Sequence, residues 1–203
     1  MKTIHAATAL CLLTPALGTL GGCKEKKMSD ASDKKFQAAA KPFLGVYRIT
    51  SRTRNQGSCA AEGKSLLDKD SEGFIAMNLA NGFTGKMVSL TSCKDVANCK
   101  RRAAKPAAAD FIYSFGDHQG KTLTGMEAFT GFSRGKKTCT GGRLSKLTLV
   151  QKGDGVVFEL RGVTVSYPAD ERGYCSTKLV KEQAKGKPCD DYIVLRARRV
   201  SDL

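Results

Sequence analysis

The chain has 203 residues, with 34 Lys and Arg against 19 Asp and Glu, so it is long enough for one domain and basic, at a formal net charge of +15. Apolar residues at 41% supply a single core, and 21 Gly with 5 Pro are too few for a collagenous or low-complexity chain. Two His and no Trp leave most metal and Ser-His chemistry without its parts.

Lys2 gives a short basic start, residues 6–17 (AATALCLLTPAL) are apolar with a break at Pro15, and Leu20, Gly21, Gly22 and Cys23 close the segment. A run of that length is too short to span a bilayer and has the make-up of an export signal. The pattern Leu-x-Gly-Cys directly after it resembles the lipobox of bacterial lipoproteins. That resemblance implies a signal peptide over residues 1–22, a diacylglycerol on the Cys23 sulfur, and acylation, for instance by palmitate, of the amine freed at Cys23. Two or three chains anchor a protein stably where one does not. The expected location is therefore the cell membrane or the outer membrane of a bacterium, with the domain exported to the periplasm or the surface.

Loss of residues 1–22 removes only Lys2 among the charges and takes the net from +15 to +14. Residues 23–42 then form a lipidated N-terminus and a polar, Lys-rich tether, in which Lys24, Lys26 and Lys27 lie beside the headgroups. A short helix over Ser32–Lys41, ended by Pro42, is the alternative to a solvated spacer. The folded domain is expected over residues 43–203.

With Cys11 in the signal and Cys23 lipidated, Cys59, Cys93, Cys99, Cys139, Cys175 and Cys189 remain. In an oxidising compartment, six thiols without a Cys-x-x-Cys pattern predict three disulfides, and no metal site. Sequence proximity favours Cys93–Cys99 and Cys175–Cys189, which leaves Cys59–Cys139.

From residue 44 onward, short runs rich in Val, Ile, Thr, Phe and Tyr alternate with Gly, Asn and Asp, the pattern of an all-β domain. Eight strands are predicted, near 44–52, 73–79, 85–91, 110–116, 121–130, 142–151, 156–166 and 191–200. Asn81-Gly82, residues 116–120 and residues 152–155 make three tight hairpins. The other connections are long and hold all six cysteines. In an up-and-down meander these long connections share one end, so the disulfides would staple one mouth. Two of them have helical character, one after Ser92 over Asp95–Lys100, the other after Ser176 over Lys178–Lys185.

Eight antiparallel strands close into a barrel wide enough for side chains or one small ligand. The predicted fold is a single eight-stranded up-and-down barrel with two short helices in loops and three disulfides, and it is lipocalin-like. Gly45-Val46-Tyr47 resembles the lipocalin Gly-x-Trp with Tyr in place of Trp, and Arg196 or Arg198 resembles the Arg that covers that ring. The order Gly-x-Tyr, Cys59-Ala60-Ala61-Glu62-Gly63, Ser92-Cys93 and Cys99 is similar to uncharacterised exported proteins of Gram-negative soil bacteria, which imply no activity.

For function, His118 stands alone in a turn, and Asp190-Asp191 and Asp68-x-Asp70-x-Glu72 read as solvated loop carboxylates, so no catalytic set, metal site or cofactor is expected. The four long connections carry a net +8, led by Lys100, Arg101, Arg102, Arg134, Lys136 and Lys137. If they share one end, the mouth is basic and draws anionic partners. Two readings stay open. One is a monomeric, membrane-anchored carrier of a small apolar or anionic ligand; the other is a filled-barrel interaction protein, such as an envelope assembly factor or inhibitor, docking an acidic partner. Nucleic acid is not expected, since aromatics do not interleave with the basic residues. Alternating Phe111, Tyr113 and Phe115, Phe158 with Leu160, and Ile193 with Leu195 would fill the interior, whereas Gly85, Gly125 and Gly162 would leave space or mark bulges.

Overall fold

A computed structural model describes residues 30–66, 73–82, 85–105, 112–134 and 137–203. The export signal, Cys23, the Asp68-x-Asp70-x-Glu72 triplet, Phe111 and Lys136 lie outside them. In chain order the elements are α1 (Asp30–Ala40), a 3-10 turn (Lys41–Phe43), β1 (Gly45–Gln56), β2 (Lys64–Ser65), β3 (Phe74–Gly82), β4 (Gly85–Cys93), α2 (Val96–Ala103), β5 (Ile112–Phe115), β6 (Asp117–Gln119), β7 (Thr122–Phe129), β8 (Phe132–Arg134), β9 (Thr138–Lys152), β10 (Gly155–Pro168), α3 (Thr177–Ala184) and β11 (Asp191–Ser201).

All of the strands join one antiparallel sheet in the order β5-β4-β3-β1-β11-β10-β9-β7-β6, with β2 added to β1 and β8 to β9. Its two ends, β5 and β6, are successive in the chain and separated only by Gly116, whose N–H donates to the Thr124 carbonyl at 3.2 Å. The sheet therefore curls into a nearly closed barrel. Where β5 passes β7, a Cβ on Gly125 would stand 2.3 Å from the Ser114 carbonyl oxygen, so only glycine permits that approach. The described residues form eleven strands where eight were expected. The difference is three short pieces: β6 resumes β5 beyond Gly116, while β2 and β8 are two- and three-residue additions to long strands.

Alternation along the strands sends Tyr47, Ile75, Met77, Val88, Leu90, Phe115, Leu123, Leu147, Leu149, Val156, Phe158, Leu160, Ile193 and Leu195 into one core. Phe115 and Phe158 meet edge to face, their centroids 6.0 Å apart. One end is shut by α1. Phe36 and Ala40 from this helix, and Phe43 after it, are buried in that core, and Phe36 also packs against the His118 ring at 6.0 Å. Much of the segment expected as a tether is thus a plug belonging to the packed domain, because Phe36 and Ala40 share a helix face that the sheet covers. His118 serves as packing surface for it.

The other helices lie on the outside of the sheet. Asp95, not Ser92, caps α2 by accepting the Asn98 N–H at 2.7 Å, and α2 covers Val46, Ala76 and Phe74. Ser176 caps α3 by accepting from Leu179 N–H at 3.2 Å, and α3 lays Val180 and Ala184 on Val165 and Tyr167. No helix among the described residues is long and apolar enough to cross a membrane.

Disulfides join Cys93 to Cys99, Cys59 to Cys189 and Cys139 to Cys175. The expected Cys175–Cys189 and Cys59–Cys139 pairs are corrected by strand pairing. Gln56 at the end of β1 lies opposite Asp191 at the start of β11, which brings Cys59 to Cys189. Cys139 lies opposite Tyr167 near the end of β10, from which the chain leads to Cys175.

The cation expected over Tyr47 is also corrected. Irregularities in β1 at Val46/Tyr47 and Ile49/Ser51 shift the register, so Arg199 stands opposite Tyr47, while Arg196 pairs with Glu62 and Arg198 with Asp154. Arg199 donates to the carbonyls of Pro42 (3.2 Å) and Leu44 (2.6 Å), and Tyr47 Oη donates to the Phe43 carbonyl at 3.0 Å. These bonds tie the plug to the last strand. Gly45, at φ +153, permits it: an added Cβ would meet the Ser201 carbonyl at 2.9 Å and Arg199 Nε at 3.1 Å. Gly45→Ala is expected to lower stability by about 1–3 kcal/mol, from backbone strain and crowding together. Urea titration checks it, with Gly116→Ala, which meets nothing within 4 Å, staying near wild type.

Candidate functional site

At the end opposite α1, the inward faces turn from apolar to charged. On β11, Asp191 shares the parity of Ile193 and Leu195 and so faces inward, with its side chain 5% exposed. Arg54 of β1 grips it with two bonds, Nε to Oδ1 at 2.7 Å and Nη2 to Oδ2 at 3.0 Å. Arg143 of β9 adds a third, Nη1 to Oδ2 at 3.0 Å. Every bond this carboxylate accepts is charge-assisted, which offsets the cost of taking it out of water. The bond from Asp191 raises the Arg54 guanidinium still further above its already high value. Gly162 stands opposite Asp191 on β10, where a Cβ would meet Ser145 Oγ at 3.3 Å and lie in ordinary contact with Arg143 Cδ at 3.4 Å and Asp191 Cβ at 3.5 Å.

Glu127 of β7 faces the same space. Its Oε2 is buried with no hydrogen-bond partner among the described residues, and burial pushes its carboxyl above the usual range, against the pull of Arg143. Burial likewise raises the Tyr113 phenol, reinforced by Glu127 and opposed by Arg143, Arg52 and Arg54. Below these groups lies a cavity of about 120 Å³. Its walls are Ile49, Ile75, Leu90, Phe158, Ile193 and Leu195, with Tyr113 stacked on Phe158 at 4.9 Å. Exposed Arg52 and Ser92 form its lip, so it opens to solvent.

Elsewhere among the described residues the interior holds large side chains: Phe115, Phe158, Met77, Leu123, Leu147, Leu149 and Leu160 are fully buried. The cavity itself is about the size of an engineered one, about 150 Å³, that admits benzene. Of the strand glycines, Gly125 serves a close backbone approach, and Gly162 sits beside the ion cluster with its Cβ position already in contact with Ser145, Arg143 and Asp191.

Of the basic residues singled out in the sequence, Lys100, Arg101 and Arg102 lie on α2, against β3 and β4, while Arg134 ends β8 and Lys137 precedes β9. Arg52, Arg54 and Arg143, not singled out there, place positive charge at the mouth. The carboxylates expected in solvent divide as well: Asp190 accepts from Thr164 N–H at 3.0 Å and from its hydroxyl at 3.2 Å, while Asp191 is the buried centre of the cluster. Among the described residues, no group of three or more His, Cys, Asp or Glu is placed to hold a metal ion.

Comparison with known proteins brings no match to a family model, a curated protein or a solved structure.

Proposed function

We propose that this chain is an exported lipoprotein, anchored through acyl chains on Cys23, whose barrel binds a small ligand at its mouth without transforming it. The observation that supports this best is the contrast within the interior: among the described residues, large apolar side chains below the mouth are fully buried, yet an apolar cavity stays open beneath Arg52, Arg54 and Arg143. Asp191, the buried carboxylate at the centre of the mouth, is committed to two guanidinium groups and holds them in place. We assign the barrel to the lipocalin-like, up-and-down type. Support for that comes from the succession of β9, β10 and β11 as sheet neighbours and from the cover of the plugged end by Arg199 beside Gly45-Val46-Tyr47.

Two measurements test this. Cys23→Ser is expected to move the protein out of the membrane fraction and to abolish its labelling by palmitate; continued labelling of the variant refutes the anchor. Native mass spectrometry of protein purified from the envelope is expected to show a retained small molecule, and a bare mass counts against a carrier.

A bare mass would favour the second reading, a protein that works by contact with a partner. Its supporting observation is an exposed apolar patch: Phe129 and Phe132 stack edge to face at 5.5 Å, and Phe132 is 72% exposed. Crosslinking in the envelope is then the measurement to make.

A further inference from the structure

Among the described residues, the mouth carries more positive charge than it neutralises. Arg52, Arg54 and Arg143 converge on Tyr113, and the described carboxylates that face them are Asp191 and Glu127, so one positive charge remains among these five even with both carboxyls ionised. Arg54 and Arg143 are held by Asp191, whereas Arg52, on the cavity lip, has no carboxylate partner among the described residues. The Tyr113 phenol and the Ser92 hydroxyl line the same cavity as neutral donors. Beneath these donors the walls are aliphatic, with the Phe158 ring at one side.

From this we infer the class of ligand, an inference that rests on the mouth being a binding site: a small carboxylic acid whose apolar part is no larger than about a benzene ring. The apolar part sits against Leu90, Phe158 and Ile193. The carboxylate meets the Arg52 fork, whose two parallel N–H groups match its two oxygens, and Tyr113 Oη and Ser92 Oγ donate to its remaining lone pairs. Charge favours a monoanion, since Arg52 is the one mouth guanidinium without a carboxylate partner among the described residues, and a dianionic phosphate on it would keep one charge poorly compensated in a half-buried site. Volume excludes whole acyl chains. The acid can be free or the C-terminal residue of a peptide, two sources of one chemistry.

The test uses the mature protein in lipid nanodiscs and isothermal titration calorimetry with phenylacetate, its neutral isostere phenylacetamide, and the peptide Gly-Gly-Phe. Phenylacetate is expected to bind about tenfold to a hundredfold more tightly than the amide, the difference a charge-assisted bond makes. Arg52→Gln should bring the acid down to the level of the amide, and Ser92→Trp, at the exposed lip, should block both. Binding of Gly-Gly-Phe as tight as that of phenylacetate assigns the ligand to a chain end; binding of phenylacetate alone assigns it to a free acid. Equal affinity for acid and amide, discrimination that survives Arg52→Gln, or no binding of any probe at about 10 mM overturns the ligand class. A different molecule retained in native mass spectrometry would then leave the binding function standing, whereas a bare mass would remove both.

Discussion

Asp191→Ala is expected to destabilise the protein by about 2–3 kcal/mol. The carboxylate is buried and accepts three bonds from two guanidinium groups, so its removal leaves two cations facing each other across the mouth. Removing one partner of a fully buried ion pair costs about 3–5 kcal/mol. Here Arg54 and Arg143 keep 34% and 28% of their side-chain surface and can turn partly toward water, which places the loss at the lower end. Denaturation in urea measures it. The triple variant Arg54→Met, Arg143→Leu, Asp191→Leu should recover most of the stability, because the cost lies in unpaired charge and not in lost volume. A single variant within about 0.5 kcal/mol of wild type would show that the cluster is hydrated and contributes little.

Opening the Cys59–Cys189 bridge is expected to cost more than opening either of the others. In the chain-entropy account the penalty grows with the enclosed loop, and the three bridges enclose separations of 130, 36 and 6 residues. That gives about 5 kcal/mol for Cys59–Cys189, about 4 for Cys139–Cys175 and about 2 for Cys93–Cys99. Paired Cys→Ala variants, compared by denaturant midpoint, test the order. If Cys93–Cys99 proves the costliest, the bridge acts through the native seat of α2 on β3 and β4 and not through the unfolded chain.

The sequence made the strands legible because their signal is local: alternation and turn residues report burial on one face over five to ten residues. Each of the eight predicted runs falls on β1, β3, β4, β5, β7, β9, β10 or β11. What failed was information that depends on neighbours across the sheet. The Cys59 partner is set by the meeting of β1 and β11, and no distance along the chain encodes that meeting. The charged mouth was partly readable. Asp191 stands two residues before Ile193 and four before Leu195, so its inward parity was available, and Glu127 follows Leu123 and Gly125 in the same way. Arg52 and Arg54 were hidden by the irregularity between Ile49 and Ser51, which changes parity within β1. The plug escaped notice because α1 offers little apolar surface, only Phe36 and Ala40 buried among Lys, Asp and Gln, and its burial depends on a barrel end waiting to be shut.

The pairing of β1 with β11 also governs when the molecule can assemble. β1 finds one of its neighbours in β11, far along the chain, so the sheet stays unsealed, with a bare β1 edge, until β11 has emerged. Cys59 waits equally long for Cys189, while Cys93 follows it within the first half of the chain. Oxidation in order of emergence would join Cys59 to Cys93, a non-native pair that only thiol–disulfide exchange can undo. Yield in a host should therefore depend on disulfide isomerisation more than on oxidising power.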